Sequence, residues 1–122
     1  MKTVHTDNAP KALGPYSQAK IVGNLVFLSG QIGIDPATGS AVEGIEAQTE
    51  QVMKNLGAVL KEAGSDYDKV VKTTCFLADI KDFATFNEIY AKYMTSKPAR
   101  SCFAVKELPA GMLVEVEAIA EI

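Results

Sequence analysis

The chain has 122 residues, 48% hydrophobic and 22% charged, with a net charge of −3: one domain, able to bury a core without metal or disulfide support. Two cysteines are too few for a disulfide framework, and an acidic pI near 5.1 lacks the basic face of a general nucleic-acid binder. No apolar run approaches the ~20 residues needed to cross a bilayer, and Met1-Lys2-Thr3 leads into polar residues rather than a secretory apolar stretch, so no membrane contact and a cytoplasmic location are expected.

Leu25 to Ser29 reads as a strand that ends at Gly30. Asp35-Pro36-Ala37-Thr38-Gly39 is a turn, because Pro presets φ and Gly accepts φ > 0. The period then changes: Val52, Met53, Leu56, Val59, Leu60 and Ala63 recur at helical spacing, and Gly64 is a natural stop, which predicts a helix over 46–63. Val70 to Leu77 is rich in β-branched and aromatic residues and predicts a strand. Asp79 is an expected N-cap of a second helix, whose apolar face carries Phe83, Phe86, Ile89, Tyr90, Tyr93 and Met94, and which Pro98 ends at the latest. Ser101–Val105 and Leu113–Ala120 predict two more strands, joined through the turn Leu108-Pro109-Ala110-Gly111. The fold class is α+β, one sheet and two amphipathic helices.

Alternate strand residues face opposite sides of a sheet. Here both sides carry apolar groups: Leu25 and Phe27 oppose Val26 and Leu28, and Val70 and Phe76 oppose Val71 and Leu77. Two helices cover one face only. A large apolar patch left in water is rare on a monomer, so another copy of the chain is the expected cover.

Several chemistries lack their residues. His5 is the one histidine, and an N-terminal segment is a poor place for a precise base. Cys75, Cys102 and His5 are scattered, so no metal site is expected, and no phosphate-cradling or dinucleotide glycine motif occurs, so no cofactor is expected. A Schiff-base lysine stays open. Arg100, at the start of an apolar strand, has a donor fork that matches a carboxylate; the alternative is a structural ion pair with Glu115 or Glu117. Those two glutamates share one strand face, either as solvated surface acids or as a group that orients water. Cys102 is better read as a small buried residue than as an activated thiol. Tyr16, in Gly14-Pro15-Tyr16-Ser17-Gln18-Ala19, either lines a cleft or packs a turn, and Gly30, after Ser29, either admits a ligand to the backbone or makes a turn.

Taken together, Gly14-Pro15-Tyr16-Ser17-Gln18-Ala19, Ser29-Gly30-Gln31, Val71-Lys72-Thr73-Thr74-Cys75-Phe76, Asp82-Phe83-Ala84, Pro98-Ala99-Arg100-Ser101-Cys102 and Val114-Glu115-Val116-Glu117-Ala118-Ile119-Ala120 closely resemble the RidA (YjgF) family, in the family's order and over essentially the whole chain. The resemblance implies a chorismate-mutase-like fold, a six-stranded mixed sheet with two helices on one face. It implies a homotrimer with intersubunit clefts, and 2-iminobutanoate/2-iminopropanoate deaminase activity that turns these imines and 2-aminoacrylate-type enamines into 2-keto acids and ammonia. By position it gives Arg100 the substrate carboxylate and Glu115 the attacking water. It sets Tyr16 in the cleft from a neighbouring subunit, and backbone around Ser29, Gly30 and Cys102 at the substrate, without using the Cys102 thiol as a nucleophile. Two departures bear on substrate range: Gly33 stands where many relatives carry proline, and Lys97 precedes Pro98 where an aromatic is common, after a short 93–98 loop. The competing functions are a non-catalytic trimer sensing 2-keto acids through Arg100, and a ribonuclease or translation inhibitor. Glu115 accompanying Arg100 favours the enzyme, and the acidic charge balance disfavours the ribonuclease.

Overall fold

A computed structural model describes all residues, 1–122. Six strands form one sheet: β1 (Lys2–Val4), β2 (Ala19–Val22), β3 (Leu25–Ile32), β6 (Val70–Leu77), β7 (Ala99–Ala104) and β8 (Val114–Glu121), in the order β1-β2-β3-β8-β6-β7. A small hairpin, β4 (Ile34–Asp35) and β5 (Ser40–Ala41), stands apart from it. Neighbours are antiparallel except β6 and β7, which run parallel because α2 (Phe83–Tyr93) crosses between them; the sheet is therefore mixed.

The first helix, α1 (Ile45–Glu62), begins one residue before its predicted start. Its end is chemically explicit. Gly64 takes φ 85°, its N–H donates to the Lys61 carbonyl at 3.0 Å, and Ser65 N–H donates to the Leu60 carbonyl at 2.8 Å. These are the paired bonds of a Schellman stop. The second helix begins later than its sequence signal. Asp79 does cap, accepting from Lys81 N–H at 3.0 Å, but what it caps is a 3-10 turn, Ile80–Asp82, and α2 starts only at Phe83.

Both helices lie on one face of the sheet. Val52, Met53, Leu56, Val59 and Leu60 of α1 and Phe86 and Tyr90 of α2 share one buried cluster with Val26, Leu28, Cys75, Leu77, Val114 and Val116. The other face stays open, with Phe27 41% and Phe103 45% exposed, and Phe76 meets Phe103 edge-on at 5.5 Å. The strand parity predicted from sequence fails at one place. A register shift between Val70 and Lys72 buries Val70 beside the core and exposes Val71, because a bulge inserts one extra residue and reverses the alternation before it. A second shift, between Leu28 and Gln31, carries β3 through Gly30 to Ile32, beyond its predicted end.

Two contacts bind α1 to this layout. Asn55, fully buried, donates to the Ile32 carbonyl at 3.1 Å and the Ile34 carbonyl at 2.9 Å, holding the end of β3. Tyr67 donates its hydroxyl to the Met53 carbonyl at 2.7 Å and lies directly against Gly57. Glycine to alanine inside a helix ordinarily stabilises by ~1 kcal/mol. At Gly57 the sign reverses, since the new methyl would occupy the place of the Tyr67 ring and hydroxyl. Gly57→Ala is expected to destabilise by about 1–3 kcal/mol, read as a lower urea midpoint at unchanged slope; a raised midpoint would contradict this packing.

Candidate active site

The open face holds a cavity of about 720 Å³, walled by Tyr16, Gly30, Ile32, Ile34, Pro109 and Glu115. Its size falls in the range of small-molecule sites. β8 carries Glu115 between Ile32 of β3 and Phe76 of β6. The side chain passes directly over Gly30, where any Cβ would collide with the carboxylate. Glycine here is thus a matter of space. Half-burial raises the Glu115 pKa above the ordinary glutamate value, and the nearby Glu117 charge raises it further.

Tyr16, 55% exposed, reaches the same cavity from the segment before β2. That segment is tied to β3: Ser29 donates its hydroxyl to the Ser17 carbonyl at 2.5 Å, and Ser29 N–H donates to the Gln18 carbonyl at 2.9 Å. The Ser29 hydroxyl therefore serves the scaffold. Gln18, buried, accepts from Thr6 N–H at 2.7 Å and donates to the Pro10 carbonyl at 2.8 Å, which seats the N-terminal segment at the cavity rim. His5 is not part of the wall; it pairs with exposed Asp7 at 3.1 Å.

Arg100 and Cys102 lie elsewhere. Both sit on β7, an edge strand, level with Thr73 and Cys75 of β6. Thr73 and Cys75 are buried beneath the helices, so Arg100 occupies the helix side while Glu115 occupies the open side. Along the strands they differ by three residues, roughly 10 Å at ~3.3 Å per residue. The structural ion pair with Glu115 or Glu117 weighed above is not formed: the ion pairs of the chain are His5–Asp7 and Lys81–Asp79. Glu115 also does not accompany Arg100 within one chain, because the two project from opposite faces of one sheet.

α2 instead surrounds Arg100. Its Nη1 donates to Asn87 Oδ1 at 2.6 Å, and its Cζ lies 4.9 Å from the Tyr90 ring centre and 5.5 Å from that of Phe83. Sequence reading did not single out Asn87. Its signal was available: 83, 87 and 90 form one helical stripe at i, i+4, i+7. Burial raises the Cys102 thiol pKa, only partly opposed by the Arg100 charge, and burial pushes that of Cys75 up to about 12. Neither thiol is an activated nucleophile. Of the two departures, Gly33 lies bare against Gln48, whose Oε1 accepts from Leu113 N–H at 2.8 Å, and Lys97 adopts φ 50°, a tight left-handed corner before β7.

The profile of a family described as Endoribonuclease L-PSP matches residues 6–122. The chain is 54% identical to a protein named AldR of Lactococcus lactis, over 100% of this chain and 98% of that protein. It is 49% identical to a 2-iminobutanoate/2-iminopropanoate deaminase of Homo sapiens, over 98% of this chain and 88% of that one. Among solved structures, RidA from an Antarctic Psychrobacter superposes with a TM-score of 0.97 at 45% identity, covering 100% of each chain.

Proposed function

The chain belongs to the YjgF/RidA family, the family described as Endoribonuclease L-PSP, and from that premise we propose that it is a deaminase hydrolysing 2-iminobutanoate, 2-iminopropanoate and the related enamine 2-aminoacrylate to 2-keto acids and ammonia. The observation that carries the reading is the split arrangement. A guanidinium without a carboxylate partner lies on one side of the sheet, and a glutamate with a raised pKa lines a cavity on the other. One small substrate meets both only where two copies of the chain come together. A homotrimer with its clefts between subunits supplies that meeting and covers Phe27 and Phe103 as well.

In such a cleft Arg100 of one copy holds the substrate carboxylate through paired N–H donors. Glu115 of the neighbour orients a water against the imine carbon and accepts its proton as the C–O bond forms. That proton passes to the imine nitrogen to give a carbinolamine; the new hydroxyl then gives up its own proton, which moves to the nitrogen as the C=O bond forms and the C–N bond breaks, so that ammonia leaves a 2-keto acid. An enamine first takes a proton at its terminal carbon to become the imine. Tyr16 walls the cleft beside Gly30, whose missing side chain leaves room for Glu115.

The test couples threonine dehydratase to the protein and follows ammonia and 2-ketobutyrate in the presence of a nucleophilic trap. Faster release and less trapped imine are expected; no acceleration at stoichiometric protein refutes the deaminase. Saturable 2-ketobutyrate binding without turnover would point to sensing. Ribonuclease activity that survives purification and vanishes in Arg100→Ala and Glu115→Ala would point to the rival chemistry.

The pH profile follows from the Glu115 shift. Its working form is the carboxylate, so kcat/KM falls as pH drops through a pKa that lies above the ordinary glutamate value. Glu117→Gln removes the smaller of the two causes, lowers that pKa and moves the acid limb to lower pH. An unmoved or rising limb would show that Glu115 does not set it.

A further inference from the structure

The surroundings of Arg100 differ from those of a structural arginine in one respect: every partner the chain provides is uncharged. Asn87 Oδ1 accepts from Nη1 at 2.6 Å, and the Tyr90 and Phe83 rings lie 4.9 and 5.5 Å from Cζ. The platform is itself fixed. Tyr90, buried, exchanges a hydrogen bond with Thr73 Oγ1 at 2.7 Å and packs on Phe86 at 5.4 Å. A planar guanidinium tethered at one nitrogen and resting against aromatic rings has few orientations left, while most of its five N–H groups stay unspent.

The identity of the tether matters. An aspartate has nearly the shape of Asn87 and would accept the same bond, but it would also neutralise the guanidinium and compete with any incoming carboxylate. An alanine would leave the charge and release the geometry. An asparagine neither neutralises the charge nor releases the geometry.

We propose that Asn87 is a positioning residue for Arg100: it orients the guanidinium and, being uncharged, keeps that positive charge available to the carboxylate of a small 2-oxo or 2-imino acid. The inference rests on the deaminase reading for the reaction but not for the grip, since a carboxylate binds whether or not turnover follows.

The experiment measures 2-ketobutyrate affinity by calorimetry, together with KM and kcat in the coupled assay, for wild type, Asn87→Asp and Asn87→Ala, each checked for unchanged melting and assembly. Asn87→Asp is expected to weaken binding and raise KM about tenfold or more, with kcat much less affected. Asn87→Ala is expected to weaken binding by less. The Asn87→Asp defect should ease as pH falls through the titration of the introduced carboxyl, because protonation removes the competing charge; a purely structural role predicts no such relief. Wild-type affinity in Asn87→Asp at neutral pH overturns the proposal, as does equal weakening in both variants with no relief at low pH. Wild-type binding without turnover sinks the deaminase and leaves this inference standing. No saturable binding by wild type sinks both.

Discussion

Arg100→Ala is expected to lower kcat/KM for 2-iminobutanoate about 100-fold or more while leaving the fold intact. Removing a desolvated, paired charge from a binding site costs roughly 2–5 kcal/mol, and each 1.4 kcal/mol is about tenfold. The loss should reach KM, because the substrate carboxylate is held in ground and transition states alike, and also kcat, because an unanchored substrate seldom presents its imine carbon to the water beside Glu115. Stability should change little. Arg100 makes no ion pair, is partly buried, and contributes one side-chain hydrogen bond, to Asn87. Arg100→Lys should recover only part of the loss, since an ammonium supplies charge without the planar fork. Steady-state kinetics beside a thermal melt decides the matter: full activity in Arg100→Ala would mean that the carboxylate is gripped elsewhere.

Phe86→Ala is expected to destabilise the protein by about 3–5 kcal/mol. Phe86 is among the largest fully buried side chains, and it lies on the inner side of α2. Its ring supports Tyr90 at 5.4 Å, tilted by 39°. Alanine would leave a cavity between α2 and the sheet, which α2, only 11 residues long, would have to close by shifting. Against a typical total of ~5–15 kcal/mol, that is a large fraction. The function should suffer beyond the lost stability, because the shelf under Arg100 moves with α2. Urea unfolding at fixed protein concentration measures the first effect and 2-ketobutyrate affinity in the folded variant the second. A loss under about 1 kcal/mol would show that the core around α2 repacks far more freely than its burial indicates.

Much of the fold could be read in the chain because it is encoded locally. Val70–Leu77 announced its strand through β-branched residues, and Val52 to Leu60 announced α1 through their spacing. Gly64 announced the end of α1 because only the left-handed region closes a Schellman stop cheaply. The short strand β1 carried no such signal, and β2 was marked only by the turn Gly14–Ala19 that leads into it. Three residues cannot display a period, and β1 exists because it pairs with β2, at least 15 residues on. β2 is closed onto β3 by the two-residue connection Gly23-Asn24, a local hairpin signal that went unread. Asp79 misled in a small way: the same side-chain cap serves a 3-10 turn and an α-helix, and the sequence carries no mark for which follows. Gly33 could be noticed but not explained, since the Gln48 side chain against it arrives from a separate helix.

The same division runs through the site. By itself the sequence determined the fold class, the helix-covered and open faces, and the residue types on offer: one arginine at a strand start, two glutamates on one strand face, a tyrosine and a glycine beside turns. Periodicity and turn chemistry act within a few residues, so they survive translation from sequence to structure. Only the tertiary structure decided which of these groups share a space. Strand order set Arg100 at the sheet edge and Glu115 two strands inward, pleat parity sent them to opposite faces, and α2 brought Asn87 and Tyr90 to the guanidinium. These are contacts between residues far apart in the chain. They depend on register, and a shift of one residue reverses the face on which a side chain stands, as the bulge at Val71 does.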